Sequence, residues 1–214
     1  MRKLLLGIIV VGVVLTIVDF TARGVAQDQL AAKAREGIPA GATIDAHIHS
    51  VPFLGRIAVN GTVDEVDFHL TNVKAGPLTY PAVDVELAGV RIDRHHLLGK
   101  REVRIDHIQS GRLSTQLRAD DLTTALHHRV VIRNAKFYVD VAGREVQVTP
   151  KIDKGRRLVL AAAGIDTLGL DLPLNNLLPC AADIALGSSI IEISCQISQV
   201  PEPLINAANA AAGG

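Results

Sequence analysis

Tryptophan is absent, methionine occurs once, and aromatic residues make up only 3% of the 214 positions. Few ring platforms are therefore present on which bases or sugars could stack. A surplus of either charge is missing too. Lys+Arg and Asp+Glu number 22 each, and the formal net charge is zero. Without a basic excess to neutralise phosphates, general nucleic-acid binding is excluded. The two cysteines are too few for a disulfide-dense miniprotein, and a metal centre needs more ligands than two isolated thiols supply. GxSxG, HExxH, a P-loop and GxGxxG are all lacking. No catalytic constellation stands out, and no cofactor is implied.

What is present is aliphatic. Hydrophobic residues reach 48% and charged residues 21%, so a sizeable core can form and disorder is not expected. The length suits one domain, or at most two small ones.

The N-terminus reads MRKLLLGIIVVGVVLTIVDF. Arg2 and Lys3 precede an uncharged run, Leu4 to Val18, which Asp19 interrupts. As a helix this run rises ~23 Å, short of the ~30 Å hydrocarbon core of a bilayer. Two readings stay open. A peptidase could cut after Ala26, where Gly24-Val25-Ala26 offers small residues at both required positions. Alternatively the segment stays as an anchor, with Asp19 and Arg23 at the interface. Both keep the positive charges in the cytoplasm and export the body. The expected organisation is a membrane anchor or signal segment over 1–26, a single domain over 27–200, and a flexible tail over 201–214.

Cys180 and Cys195 form the only cysteine pair. A bridge would close a loop of about 15 residues, worth ~3 kcal/mol in the chain-entropy model. It would persist only in an oxidising compartment, which agrees with export.

Residues 21–36 read as helix, ended by Gly37-Ile38-Pro39. From Thr43 the period changes to two. Ile44, Ala46 and Ile48 alternate with Asp45, His47 and His49. Val66, Phe68 and Leu70 alternate with Asp67, His69 and Thr71, and Val83, Val85 and Leu87 with Asp84 and Glu86. Further pairs follow at Val103/Ile105, Val139/Val141 and Val146/Val148, and a last run covers Ile191 to Ile197. This in–out patterning predicts seven or more strands of antiparallel sheet, wet on one face. One helix is expected to interrupt the sheet, capped by Asp120 and ending near His127-His128. Ser50 to Gly55 reads as an apolar loop between strands, and Asn60-Gly61 as a hairpin turn. The expected class is α+β: a long, curved antiparallel sheet that buries its aliphatic face against few helices.

Ile44-Asp45-Ala46-His47-Ile48-His49 resembles the D-x-H-x-H strand of metal-dependent amidohydrolases. On a strand, His47 and His49 project from one face about 7 Å apart, within reach of a shared metal. That family, however, needs a (β/α)₈ barrel and further ligands on later strands. The reading preferred here is a wet strand face carrying Asp45, His47 and His49. Leu168 to Pro179, apolar and without alternation, could line a pocket mouth or be a buried connection.

Several weak motifs follow one another: the N-terminal segment with Asp19, VPFLGRIAVNGTVDEVDFHLTNV (51–73), GVRIDRHHLLGK (89–100), the Gly111-Arg112-Leu113-Ser114 turn leading into ADDLTTAL (119–126), and LPLNNLLP. Their order resembles the LmeA family of actinobacterial cell-envelope proteins. The resemblance covers about residues 20–200. It implies a tubular lipid-binding fold like that of bactericidal/permeability-increasing protein, a curved sheet wrapped around a helix. It implies an exported, membrane-associated, non-catalytic protein on the periplasmic side of the cytoplasmic membrane. Such a protein binds phospholipids and supports mannan elongation of lipomannan in mycobacteria, with envelope glycosyltransferases as partners. On this fold the aliphatic face turns inward. Phe68, Leu70, Val85, Leu87, Phe137 and Val139 are then expected around acyl chains, with Phe53 and Leu54 at the mouth. No cationic cluster converges on these strands, so the head group should stay in water. Two other classes remain beside it: a metal-dependent hydrolase using Asp45, His47 and His49, and a non-catalytic envelope scaffold.

Overall fold

The structure is a computed structural model. It describes residues 2–36, 41–75, 78–94, 96, 104–153, 157–161, 168–172, 180–202, 205, 206 and 209, and the side chains of these except 2–15, 33, 34, 36 and 75. The chain opens with helix α1, Arg2–Glu36, so the helix expected over 21–36 is the last part of a longer one. Strand β1 is Thr43–Ile48, α2 is Phe53–Asn60, and three long strands follow: β2, Thr62–Ala75, β3, Leu78–Ile92, and β4, Ile105–Arg118. Helix α3, Ala119–Leu126, leads into β5, Val130–Arg133, β6, Lys136–Val141, and β7, Arg144–Asp153. Then come β8, Arg157–Ala161, β9, Leu168–Asp171, β10, Ala182–Leu186, and β11, Ile190–Ile197.

The class is α+β, as expected, but the one long sheet is in fact two. A six-stranded sheet has the order β1-β2-β3-β4-β11-β10, and a five-stranded sheet the order β5-β6-β7-β8-β9. All described pairings are antiparallel. The division follows from α3, which carries the chain off the end of β4. The first sheet is then completed by β11, which pairs with β4 from Ile190↔Arg118 to Ile197↔Gly111.

Period two decides the burial of β1, where Ile44, Ala46 and Ile48 are buried and Asp45, His47 and His49 are exposed. On β2 and β3 the register pairs Val66 with Leu87, Phe68 with Val85 and Leu70 with Val83. The alternation then slips. Asn72 and Gly89 have φ of +55° and +63°. The inward set steps from half-buried Leu70 to buried Val73 on β2, and from half-buried Leu87 to buried Val90 on β3. A Cβ on Gly89 would also meet Gln109 Cβ at 2.7 Å, so a side chain there is opposed on two grounds. The ladder runs unbroken across both slips, and the residues on either side of each stay in one core: Leu70 and Val73 in the larger, Leu87 and Val90 in the smaller.

Two cores result. The larger lies between the sheets. Leu113, Leu117, Ile191 and Ile193 meet Phe137, Val139, Leu158 and Leu160, with Leu122 of α3 among them. The smaller covers the other end of the six-stranded sheet. There Phe53 and Ile57 of α2, and Ala22, Ala26 and Leu30 of α1, pack on Ile48, Val63, Val66, Val90 and Ile108. Val200 and Ile205 join this second core, and the side-chain amide of Asn209 bonds both the N–H and the C=O of Ile105, at 2.8 and 2.7 Å.

Three local expectations are corrected. The apolar loop placed at 50–55 gives way at Phe53 to helix α2. Asn60-Gly61 is no hairpin turn: Gly61, at φ 66° and ψ 24°, is the left-handed C-cap of α2, and its N–H bonds Ile57 O. At α3 the helix begins two residues earlier, so Asp120 is no cap. Arg118 is the N-cap residue, and its N–H donates to the Asp121 carboxylate at 3.3 Å. His127 sits at the C-cap, at the helix end where His127-His128 was expected.

Candidate functional site

Four of the side chains expected around lipid come together. Phe68 and Leu70 on β2 lie beside Val85 and Leu87 on β3, and all four are half-buried. Phe68 and Leu87 pack against the smaller core, Leu70 and Val85 against the larger. They therefore form an aliphatic stripe along the seam between the two cores. The floor of the seam continues on β4 at Gly111, opposite Leu87. A Cβ there would stand 3.4 Å from Leu87 Cδ2 and 3.6 Å from Val200 Cγ2. Gly111 and Val200 thus belong to the seam although neither was singled out for lipid. Gly111, expected in a turn, lies instead inside β4, where a glycine marks close approach of another group.

The other expected residues are placed differently. Phe137 and Val139 have no exposed surface and are sealed inside the larger core. Phe53 is buried in the smaller core, while Leu54, next to it on α2, is exposed. Of Leu168 to Pro179, the first four residues form β9 and Leu172 is buried, while 173–179 lie outside the described residues. A separate cleft of about 430 Å³ is lined by Lys151, Ile152, Asp153, Arg157, Val159 and Gly169. None of the residues expected around lipid lines it.

The opposite face of the six-stranded sheet is polar in ordered rows. Asp45 pairs across with His69, and His69 with Asp84; His47 pairs with Asp67, Asp67 with Glu86, and Glu86 with Arg112. His49 Nε2 lies 2.9 Å from Asp67 Oδ2, and His69 Nδ1 lies 2.5 Å from Asp84 Oδ1. Histidines and carboxylates are therefore in contact across strands, while Asp67 and Glu86 set two carboxylates opposite each other on the same face. Among the described residues no group of three or more His, Cys, Asp or Glu side chains is placed to hold a metal ion.

Two further features bear on what the fold can hold. Tyr80, 1% exposed in the larger core, has a hydroxyl without a hydrogen-bond partner among the described residues. Burial pushes its pKa up, so the hydroxyl stays neutral. Cys180 and Cys195 are bridged, with Cα atoms 5.7 Å apart. The bridge lies at the base of the β10–β11 hairpin, beside the Ala182↔Cys195 pair, and both cysteines pack on the larger core.

α2 is held at both ends by distant residues. Pro52 provides no capping side chain, and the first turn has no acidic residue. Instead the Asp19 carboxylate, from α1, accepts hydrogen bonds from the N–H groups of Phe53 at 2.9 Å and Leu54 at 2.6 Å. At the other end Arg94 donates to the carbonyls of Ala58 and Val59, at 3.2 and 2.6 Å. An anion at the N-terminus and a cation at the C-terminus both complement the helix dipole. Among the described residues no helix is long and apolar enough to cross a membrane.

A protein-family model described as LmeA-like phospholipid-binding matches residues 17–199. No curated protein and no solved structure matches the chain.

Proposed function

Because the chain belongs to the LmeA-like phospholipid-binding family, we propose that it is an exported cell-envelope protein that binds phospholipid and catalyses no reaction on it. The observation that carries this reading is the family match over residues 17–199, which runs from the middle of α1 through β11. The aliphatic seam supports it physically. Phe68, Leu70, Val85 and Leu87 keep accessible apolar surface along the middle of a long sheet, where an acyl chain would gain ~0.8 kcal/mol per CH₂ buried. We read the two sheets and their covering helices as a tubular lipid-binding body. Acyl chains would lie along the seam, Leu54 and Phe53 would sit at its mouth, and Phe137 and Val139 would be reached only if the sheets part. The head group stays in water, and selectivity among phospholipids is modest.

We further propose a place on the periplasmic side of the cytoplasmic membrane, consistent with the Cys180–Cys195 bridge. The role there is support of lipomannan and lipoglycan maturation, at mannan elongation, alongside envelope glycosyltransferases. The contacts of Asp19, Ala22 and Ala26 with the body favour an N-terminal helix retained as an anchor over one removed after Ala26. The domain then extends from α1 through β11.

A pair of variants tests the lipid reading. Leu87→Asp puts a charge on the seam, and Glu86→Lys puts one on the wet face one residue away. A buried charge must be desolvated, so Leu87→Asp should lose co-purified phospholipid and Glu86→Lys should keep it. Equal loss in both would overturn the facing of the strands. No loss in either, with circular dichroism unchanged, would overturn the seam as the site.

A further inference from the structure

Every exposed large hydrophobic side chain among the described residues lies on α1 or within residues 51–59; the two sheets contribute none. Ile17 and Phe20 are 60% and 55% exposed, Val51 and Val59 64% and 70%. Single exposed apolar residues need no explanation, but their collection at one corner does. The corner is where α1 meets α2. We propose that it is a bilayer-seating surface, in which Phe20, Val51 and Leu54 enter the lipid interface beside the N-terminal helix. This gives the membrane association proposed above a definite face, which meets the acyl-chain seam only at Leu54.

A lipid surface is the occupant that fits, because the exposed set continues an apolar segment already on the same helix. The uncharged run of α1 ends at Val18, and Ile17, Val18 and Phe20 carry its apolar surface into the body. The run rises only ~23 Å against a ~30 Å hydrocarbon core. Apolar residues of the body packed beside its end make up part of that mismatch. Asp19 would ordinarily oppose such a position, since a carboxylate is expensive at membrane depth. Here both its oxygens accept N–H bonds from the first turn of α2, so its charge is matched at the point where it enters. The same bonds fix the first turn of α2 against α1, which sets Leu54 beside that helix, with Val51 in the bend just before α2. Arg23 lies 4.9 Å over the Phe20 ring, one turn further from the apolar run, which is where a cation reaches lipid phosphates while its stem stays apolar.

The test uses the full chain in vesicles of phosphatidylcholine and phosphatidylglycerol. The native cysteines are bridged to each other, so an introduced thiol can be labelled alone under non-reducing conditions. Leu54→Cys and Val51→Cys carry a polarity-sensitive fluorophore, and Gln147→Cys, exposed on β7, is the reference. Lipids with brominated acyl chains should quench the label at 51 and 54 several-fold more strongly than at 147, with a blue shift at 51 and 54 alone. Quenching no stronger at 51 and 54 than at 147 overturns the proposal. So does a disulfide-linked dimer through Leu54→Cys without quenching, which would assign the corner to a second copy. Co-purified phospholipid is measured on the native chain and on the Val51→Cys sample, since Leu54 also sits at the mouth of the seam. Lost quenching with retained lipid rejects the corner and leaves the seam, whereas quenching without co-purified lipid keeps the corner and rejects the seam.

Discussion

Replacing Asp19 by alanine removes a helix cap that arrives from 34 residues away. The side chain accepts N–H bonds from Phe53 at 2.9 Å and Leu54 at 2.6 Å, and α2 has no cap of its own. An N-cap is typically worth about 1 kcal/mol, up to ~2. A hydrogen bond with one charged partner is roughly twice as strong as a neutral one. Two such bonds would suggest ~3 kcal/mol, but the Leu54 bond is exposed and screened, so about 2 kcal/mol is expected. Asp19→Asn keeps one acceptor oxygen and loses the charge, and should fall by about half as much. For a chain of this size 2 kcal/mol lowers the Tm by roughly 4–8 °C. The loss should exceed that of a simple cap truncation, because Phe53 beside it is a buried member of the smaller core. The assay is thermal unfolding of the full chain in detergent micelles, followed by the strand band of circular dichroism. Asp28→Ala, at an exposed position on the same helix, is the control. If Asp19→Ala shifts stability by no more than that control, within about 0.5 kcal/mol, the reasoning fails.

Other expectations follow from single side chains. Tyr80→Phe removes a buried hydroxyl without a partner, whose desolvation costs about 1–3 kcal/mol, so the variant should be at least as stable as the native chain; a lower Tm would show that the hydroxyl is satisfied. Replacing both Cys180 and Cys195 by serine should cost about 3 kcal/mol by the loop-entropy model, read as a shift of the urea midpoint; two titratable thiols in the non-reduced, denatured native chain would remove the premise. His47→Ala with His49→Ala should leave lipid content and abundance unchanged, because both face away from the seam. Loss of activity in cells at normal abundance would revive the metal-hydrolase reading.

Much of the six-stranded sheet was legible, because a sheet wet on one face writes its burial as alternation. Ile44/Ala46/Ile48 and Val83/Val85/Leu87 show this directly. The slips at Asn72 and Gly89 were not legible, since a backbone turn at φ +55° or +63° leaves no trace in hydrophobicity. α2 was read as a loop because its local sequence argues against a helix: Pro52 at its start, Gly55 inside, and no acidic or polar cap. Its caps come from Asp19 and Arg94, and no window of local pattern contains both. The split into two sheets was hidden for the same reason. It depends on β11 returning to β4, a pairing remote in sequence, while β8 and β9 are too short to show a period. At the seam, the four central side chains were legible as an inward face. The sealing of Phe137 and Val139 was not, since alternation reveals which way a residue points and not what meets it there.

The central claim is that this chain carries phospholipid. Mass spectrometry of an organic extract from the purified, folded chain measures it directly, with lipid counted per protein. The account predicts phospholipid of more than one head-group class at a ratio on the order of one per chain, removed by Leu87→Asp. A folded chain that yields no phospholipid, and takes up none from phosphatidylglycerol vesicles, would contradict it.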